Sequence, residues 1–430
     1  MKKSNDYLFM KLNILKAPSQ LNIDLLKGNS SLENIYYYSA LVFAFSLPLS
    51  RAAISFFIIW FVLLFILQRD YKQAWNQMKN IPALKAIGLF IAFLFLSIIW
   101  SEDTAVGLKQ MRLYSYWIII PILAIKLKKE WLSHIITAFL LGMLLSELIA
   151  YGIFFELWTL NGRTPEYPSP FMFHIHYSLF LAITAIILIN RLFSKSYSLT
   201  AKLPMLLFFL TSAGNLFIST GRTGQFAFFI AMGIAIIIHY RLTIKSLFTF
   251  LLLSFILFFG AYKTIPLFEK RANMAISDIK KLQNNDYRSS WGLRAAFWVV
   301  TYDILKKDPL IGVGIGDYEL AAKTVLKESP HNFNQSVINW CTSTHFHNQY
   351  LMTLVQIGLI GFGLMLWLFI SLLKLNIHNK ELKELSILVI TVFLVSCIAE
   401  PMWMLQFPII LFVFIVSISI AGSQKVLHND

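Results

Sequence analysis

His345-Phe346-His347-Asn348-Gln349-Tyr350 closes the longest polar stretch of a very apolar chain, and nine residues separate His347-Asn348 from Gly358-Leu359-Ile360-Gly361. This puts a titratable imidazole where a water-exposed loop turns into a membrane helix. From there His347 can act as a base on a polar substrate while the helix behind it contacts a lipid-linked one. Imidazole suits proton abstraction near neutral pH. An ionisable group carried towards hydrocarbon is costly, which marks it as functional by default.

A second group of candidates could hold an anion. Arg222 stands in Ser219-Thr220-Gly221-Arg222-Thr223-Gly224, between two apolar runs that almost touch. It reads either as a snorkelling arginine on a tight turn or as an anion clamp. A guanidinium offers a rigid fork for phosphate oxygens, and the flanking glycines would let those oxygens approach the backbone. Arg294, in Trp291-Gly292-Leu293-Arg294, opens an amphipathic segment; a solvated helix residue is the commoner fate of such an arginine. Arg288 and Arg271 are weaker candidates from the same region.

Other patterns carry less. Gly312-Val313-Gly314-Ile315-Gly316 lacks the Lys-Ser/Thr of a phosphate loop and follows no predicted strand, so it reads as a tight turn. His345 and His347 lack an identifiable convergent third ligand, and the chain has neither a His-Glu-x-x-His motif nor an aspartate-rich one, so no metal is expected. His174 and His176 form a similar pair that could line the same cavity or sit at the interface. Glu102, Asp103, Glu166, Asp317, Glu319 and Glu400 are scattered, and no pair has the marks of a glycosidase dyad. Glu400, before Pro401 in an apolar stretch, is the most conspicuous and is read as a half-buried structural carboxylate. Cys341 and Cys397 suit neither a metal site nor a disulfide framework.

The elements that must position these residues are membrane helices. Of 430 residues 57% are hydrophobic, 38 are Phe and only 14% are charged, about half the usual globular share. Apolar runs fall at 35–50, 52–68, 86–100, 113–127, 131–155, 172–190, 203–219, 225–240, 247–262, 348–373, 385–399 and 406–422. Each is long enough, or nearly so, to cross a ~30 Å hydrocarbon core, which predicts an all-α integral membrane protein of about twelve spans. The first run starts too late for a cleaved signal peptide, so the N-terminus is read as retained.

The net charge of +15 is spread over short loops with no basic face, which argues against nucleic acid as a partner. Lys and Arg concentrate on alternate loops, among them Arg69 to Lys85, Lys126 to Lys129, Arg191 to Lys202, Arg241 to Lys245 and Lys374 to Lys383. That bias predicts cytoplasmic termini. The expected organisation is a cytoplasmic segment 1–34, nine spans over 35–262, a periplasmic loop 263–346, three spans over 347–422 and a cytoplasmic tail 423–430. The large loop is too long for a connector. Leu293, Phe297, Trp298, Tyr302 and Leu305 share helical spacing there, and Asp308-Pro309 ends that helix.

Taken together, these residues resemble the bacterial O-antigen ligases, and more loosely the O-antigen polymerases and protein O-oligosaccharyltransferases. The resemblance rests on His347-Asn348, nine residues, then Gly358-x-x-Gly361, with about twelve spans and one large late loop. It extends to Arg222, to Gly292-Leu293-Arg294 with Phe297-Trp298, to Asp308-Pro309-Leu310-Ile311-Gly312-Val313-Gly314 and to Ser97-Ile98-Ile99-Trp100-Ser101-Glu102. It implies a GT-C-like membrane glycosyltransferase of the cell inner membrane, with its active site facing the periplasm. Such enzymes move a sugar chain from undecaprenyl pyrophosphate to a sugar hydroxyl of lipid A-core, among membrane lipids, with no cofactor, nucleotide or metal. Carried over, His347 corresponds to the catalytic histidine and Arg222 and Arg294 to the essential arginines. Asn348, Arg288, His345 and His176 are the accompanying candidates for substrate binding.

Rival readings stay in view. A polymerase would use the same donor as acceptor, and a protein O-oligosaccharyltransferase often carries more C-terminal sequence. A flippase or transporter would line its spans with charge and show inverted repeats, whereas these spans are nearly free of charge and no repeat is visible.

Overall fold

The protein is described by a computed structural model covering residues 31–160, 162–240 and 243–424. The expected cytoplasmic segment 1–34, for nearly its whole length, and the tail beyond 424 lie outside the described residues. Eighteen α-helices account for most of the rest. They are α1 (Ser31–Ser46), α2 (Arg51–Gln68), α3 (Tyr71–Met78), α4 (Pro82–Leu96), α5 (Thr104–Tyr114), α6 (Ile119–Lys126), α7 (Lys129–Phe154), α8 (His174–Phe193) and α9 (Leu199–Ile218). There follow α10 (Arg222–Tyr240), α11 (Ile244–Thr264), α12 (Pro266–Gln283), α13 (Ser290–Lys307), α14 (Tyr318–Glu328), α15 (Gln335–Ser343), α16 (Gln349–Leu373), α17 (Lys380–Ser396) and α18 (Gln406–Ser423). Among the described residues there is no strand, only one isolated bridge between Thr164 and Tyr167.

Nine of the described helices are long and apolar enough to cross a membrane: α2, α4 with its 3-10 extension to Trp100, α7, α8, α9, α10, α11, α16 and α18. They coincide with nine of the twelve expected spans. The other three are shorter helices, for local reasons. α1 has 16 residues and gives way to a turn at Leu47–Leu49, before Ser50 caps α2. The run at 113–127 is broken by a 3-10 turn, Ser115–Ile118, that leaves only α6. α17 has 17 residues and ends at Ser396, where a turn at 397–399 takes the last part of the expected run.

α8 and α18 form the middle of the bundle, each 89% buried over its span, whereas α11 is only 11% buried and lies at the edge. A helix apolar on every side is stable in a core only when neighbours surround it, and these two are the ones surrounded.

The segment 263–346 is not an unstructured loop. It contains α12 to α15, and α13 to α15 share an apolar core with the first half of α16. Ala296, Phe297, Val300 and Ile304 of α13 meet Tyr318, Ala322, Val337, Cys341, Phe346 and Leu351 there. Phe297 stacks on Phe346 at 4.7 Å between ring centroids. α13 matches its expected limits: Ser289 caps it by accepting from Gly292 N–H, and Asp308 follows its last turn.

The spacing from His347-Asn348 to Gly358-x-x-Gly361 acquires a structural reason. α16 is capped by Asn348, whose side chain accepts from Tyr350 N–H (2.8 Å) and Leu351 N–H (3.1 Å), and it breaks at Ile357-Gly358. Gly358 has φ 60° and ψ −163°, a conformation open essentially to glycine alone. The break frees backbone groups that the turn after α13 satisfies. Val313 N–H and Gly314 N–H donate to Val355 O and Gln356 O (both 2.9 Å), while Leu359 N–H and Ile360 N–H donate to Pro309 O and Leu310 O (2.9 and 3.1 Å). A Cβ on Gly358 would collide with Leu310 O. We expect Gly358→Ala to destabilise the protein by roughly 1–3 kcal/mol and to loosen the docked turn. A lowered thermal midpoint in detergent checks this, and an unchanged midpoint contradicts it.

The same turn is fastened on its other side. The Asp317 carboxylate accepts from Ser101 Oγ (3.0 Å), Glu102 N–H (2.7 Å) and Asp103 N–H (2.7 Å), and Gly316 N–H donates to Ser101 Oγ (3.1 Å). Asp317, one of the scattered acidic residues, is therefore a clasp between two loops.

Candidate active site

Four elements meet at one end of the bundle. The N-terminus of α10 supplies Arg222, α13 supplies Arg294, the loop into α16 supplies His347, and the loop between α17 and α18 supplies Glu400. The packing described above dictates each placement. Phe346, fully buried against α13, and Asn348, the cap of α16, hold His347 between them. Gln349 ties in the last loop: its N–H donates to Cys397 O (2.8 Å) and its Oε1 accepts from Trp403 N–H (2.9 Å). Trp403 itself is fully buried among Phe90, Trp117, Phe369 and Phe412.

Arg222, Arg294, His347 and Asn348 line one cavity of about 410 Å³, together with Trp291, Phe297 and Trp298. The two arginines converge on one hydroxyl. Arg222 donates from a terminal nitrogen to Ser290 Oγ (3.2 Å), and Arg294 donates to Ser290 Oγ (2.8 Å) and to Ser290 O (3.2 Å). Arg294 Nε is buried and has no acceptor among the described residues; Arg271, whose Nε is likewise unpaired, does not line this cavity and donates instead to Tyr167 Oη. Burial lowers the Arg294 guanidinium below its ordinary pKa, although the Glu400 and Asp278 carboxylates act against this. Buried unpaired donors are expensive, so this end of the cavity suits an anion rich in acceptors. The N-terminus of α10, where Arg222 sits, adds the favourable end of a helix dipole.

The glycines beside Arg222 answer a different need from the one expected. Gly224 N–H donates to Ser178 Oγ (3.2 Å), and a Cβ there would collide with Ser178 O of α8. They allow two helices to touch rather than opening the backbone to phosphate oxygens.

His347 is held as an oriented imidazole. Its Nδ1–H donates to Glu400 Oε2 at 2.7 Å, which leaves the lone pair on Nε2; the tautomer is assigned from this bond. Trp340 stacks on the ring with an interplanar angle of 12°. Glu400 is 4% exposed. Burial would raise its pKa, but the His345 and His347 imidazoles beside it outweigh burial and hold the carboxyl at about 2, below the ordinary 4.5. Its contribution to stability is therefore complete above about 4.5 and is lost as pH falls towards 2.

Glu400 is the residue that sequence reasoning missed. Read as a half-buried structural carboxylate, it is instead fully buried and is the partner of His347. It is also the convergent third donor for His345 and His347 that the sequence did not reveal, since His345 Nε2 lies 3.5 Å from the same Oε2. Asp278 of α12, buried and within electrostatic reach of Arg222 and Arg294, was likewise unmarked.

The remaining candidates divide. Asn348 lines the cavity, but its side-chain oxygen is engaged in capping α16. His345 faces Glu400. His176 is buried near Glu400 and His345, with an unpartnered Nδ1, and does not line the cavity. Arg288 is not brought to it either: it is exposed and ion-paired with Asp286 at 2.8 Å, two residues away in the turn before α13.

Comparison with known proteins gives a family likeness over part of the chain. Residues 207–366 match the family model described as Wzy_C, O-Antigen ligase. The matched stretch contains Arg222, Arg294, His347 and the Gly358-to-Gly361 motif; Glu400 lies beyond it. An uncharacterized protein of Haemophilus influenzae is 28% identical over 237 residues, covering 52% of this chain and 57% of that protein's length. The resemblance read from the sequence is thus shown over the region that carries the arginines and the histidine.

Proposed function

We propose that this multi-pass membrane protein, which carries an O-antigen ligase family domain, transfers a polysaccharide from undecaprenyl pyrophosphate to a sugar hydroxyl of lipid A-core. The reaction takes place at the periplasmic face of the cell inner membrane, with both termini in the cytoplasm. The observation that carries the reading is one cavity lined by His347, Arg222 and Arg294, with His347 held through Nδ1 by Glu400 and the buried Arg294 Nε left without an acceptor among the described residues.

His347 Nε2 takes the proton of the acceptor hydroxyl as its oxygen bonds to the anomeric carbon of the donor sugar. The bond from that carbon to the pyrophosphate oxygen breaks on the opposite face. Undecaprenyl pyrophosphate leaves with the electron pair, and His347 later returns its proton to water. The leaving group gains negative charge as the bond breaks, and Arg222 and Arg294 stabilise it in a site with little water. The donor linkage supplies the driving force, so no nucleotide is consumed. The apolar walls formed by Phe226, Leu351, Val395 and Ile398 suit the polyprenyl tail. The exposed Trp291 and Trp298 offer flat faces to sugars.

Glu400 is a positioning residue, keeping the Nδ1 proton in place and stabilising the imidazolium that forms. Glu400→Gln permits the wrong tautomer, so we expect kcat to fall at least ~10-fold and up to ~10⁴-fold with little change in KM for the donor. A purely structural role would instead lower the folded amount and leave kcat per folded molecule unchanged.

Gene loss tests the overall reading. A strain without the protein is expected to accumulate carrier-linked O-antigen and to attach none to lipid A-core. Attachment of one repeat unit in that strain would identify a polymerase instead.

A further inference from the structure

We infer that His345, His347 and Glu400 form a binding site for a divalent transition-metal ion of the zinc type, and that its occupation switches the enzyme off. Three donor groups converge there, one ligand atom from each lying within 4.8 Å of the others, and His345 Nε2 and His347 Nδ1 lie 3.5 and 2.7 Å from Glu400 Oε2. Zinc bonds of ~2.0–2.2 Å in a tetrahedron place ligand atoms roughly 3.4 Å apart, so small side-chain rotations suffice. Two imidazoles and one carboxylate form a zinc donor set that leaves a fourth position open. His345 Nε2 is buried, and its nearest polar contact is the Glu400 carboxylate at 3.5 Å, too long for a strong hydrogen bond, so it is available to a ligand that sits between them.

The inhibitory consequence rests on the role proposed for His347; the binding itself does not. In the active tautomer Nδ1 carries the proton and Nε2 the lone pair. A metal on Nδ1 needs the lone pair there, so the ring's single proton moves to Nε2. No proton is gained or lost, but the atom facing the acceptor becomes a donor and can no longer act as base. The metal also draws Glu400 away from its bond to Nδ1–H. One ion thus removes both the base and its orienting partner.

The test uses the purified full-length protein in detergent, with zinc chloride titrated calorimetrically in a non-coordinating buffer. We expect one ion bound per chain, with affinity reduced at least tenfold in His345→Ala and in the better-packed His345→Gln. Both variants should be checked for wild-type thermal unfolding. In the transfer assay, zinc should inhibit the wild type over the same concentration range, and EDTA should restore its rate. Wild-type zinc affinity in both folded His345 variants would overturn the site. Binding that leaves transfer uninhibited, or transfer that EDTA abolishes, would overturn the inhibitory role. If no acceptor is glycosylated at all, the proposed function fails while the titration still decides the site.

Discussion

Alanine at position 347 is expected to leave a folded membrane protein that no longer caps lipid A-core. General base catalysis by a positioned imidazole is worth about 10²–10⁴ in rate, and the cavity lining offers no other imidazole to substitute. Folding should survive, because the neighbours of His347 do the structural work. Phe346 fills the core between α13 and α16, and Asn348 caps α16. The substitution leaves Glu400 without its closest partner, yet His345 remains 3.5 Å away. The measurement is the lipopolysaccharide ladder of a null strain carrying the variant, normalised to its amount in the membrane. Ladders of normal intensity would refute the role of His347.

The arginines should show the next largest effect. Removing one donor group from a developing oxyanion typically costs about 10²–10³ in kcat, and we expect this range for Arg222→Ala and for Arg294→Ala. The double variant should lose far less than the product of the two, because both side chains hold the same Ser290 hydroxyl and, on the proposed reading, would face the same anion. Lysine in place of Arg294 keeps the charge but not the fork, so it should recover only part of the loss. Steady-state rates with a polyprenyl-pyrophosphate donor measure this. Arginine variants with wild-type kcat would show that the leaving group sits elsewhere.

The sequence made some of this legible and hid the rest for physical reasons. Long apolar runs located nine membrane-length helices because hydrocarbon length is a local property. The three runs that became shorter helices are those that a turn or a 3-10 segment cuts short, and average hydrophobicity does not register such interruptions. His347, Arg222 and Arg294 were visible as odd residues in odd places, but their meeting depends on the core shared by α13 and α16. Glu400 was conspicuous beside Pro401, yet its partner lies 53 positions earlier in the chain and no spacing links them. The glycines flanking Arg222 were misread because a close helix crossing and a phosphate-binding turn call for the same residue. Arg288 carried the right chemistry but finds its counter-ion two residues away.

The most direct measurement is transfer by the purified protein. Undecaprenyl-pyrophosphate-linked glycan is supplied with rough lipopolysaccharide, and the product is read as glycosylated lipid A-core alongside released undecaprenyl pyrophosphate. The account predicts that wild-type protein forms both products in equal amounts and that the His347→Ala protein forms neither above background. Equal transfer by the two proteins, or a wild-type protein that leaves the donor untouched while elongating nothing, would contradict it.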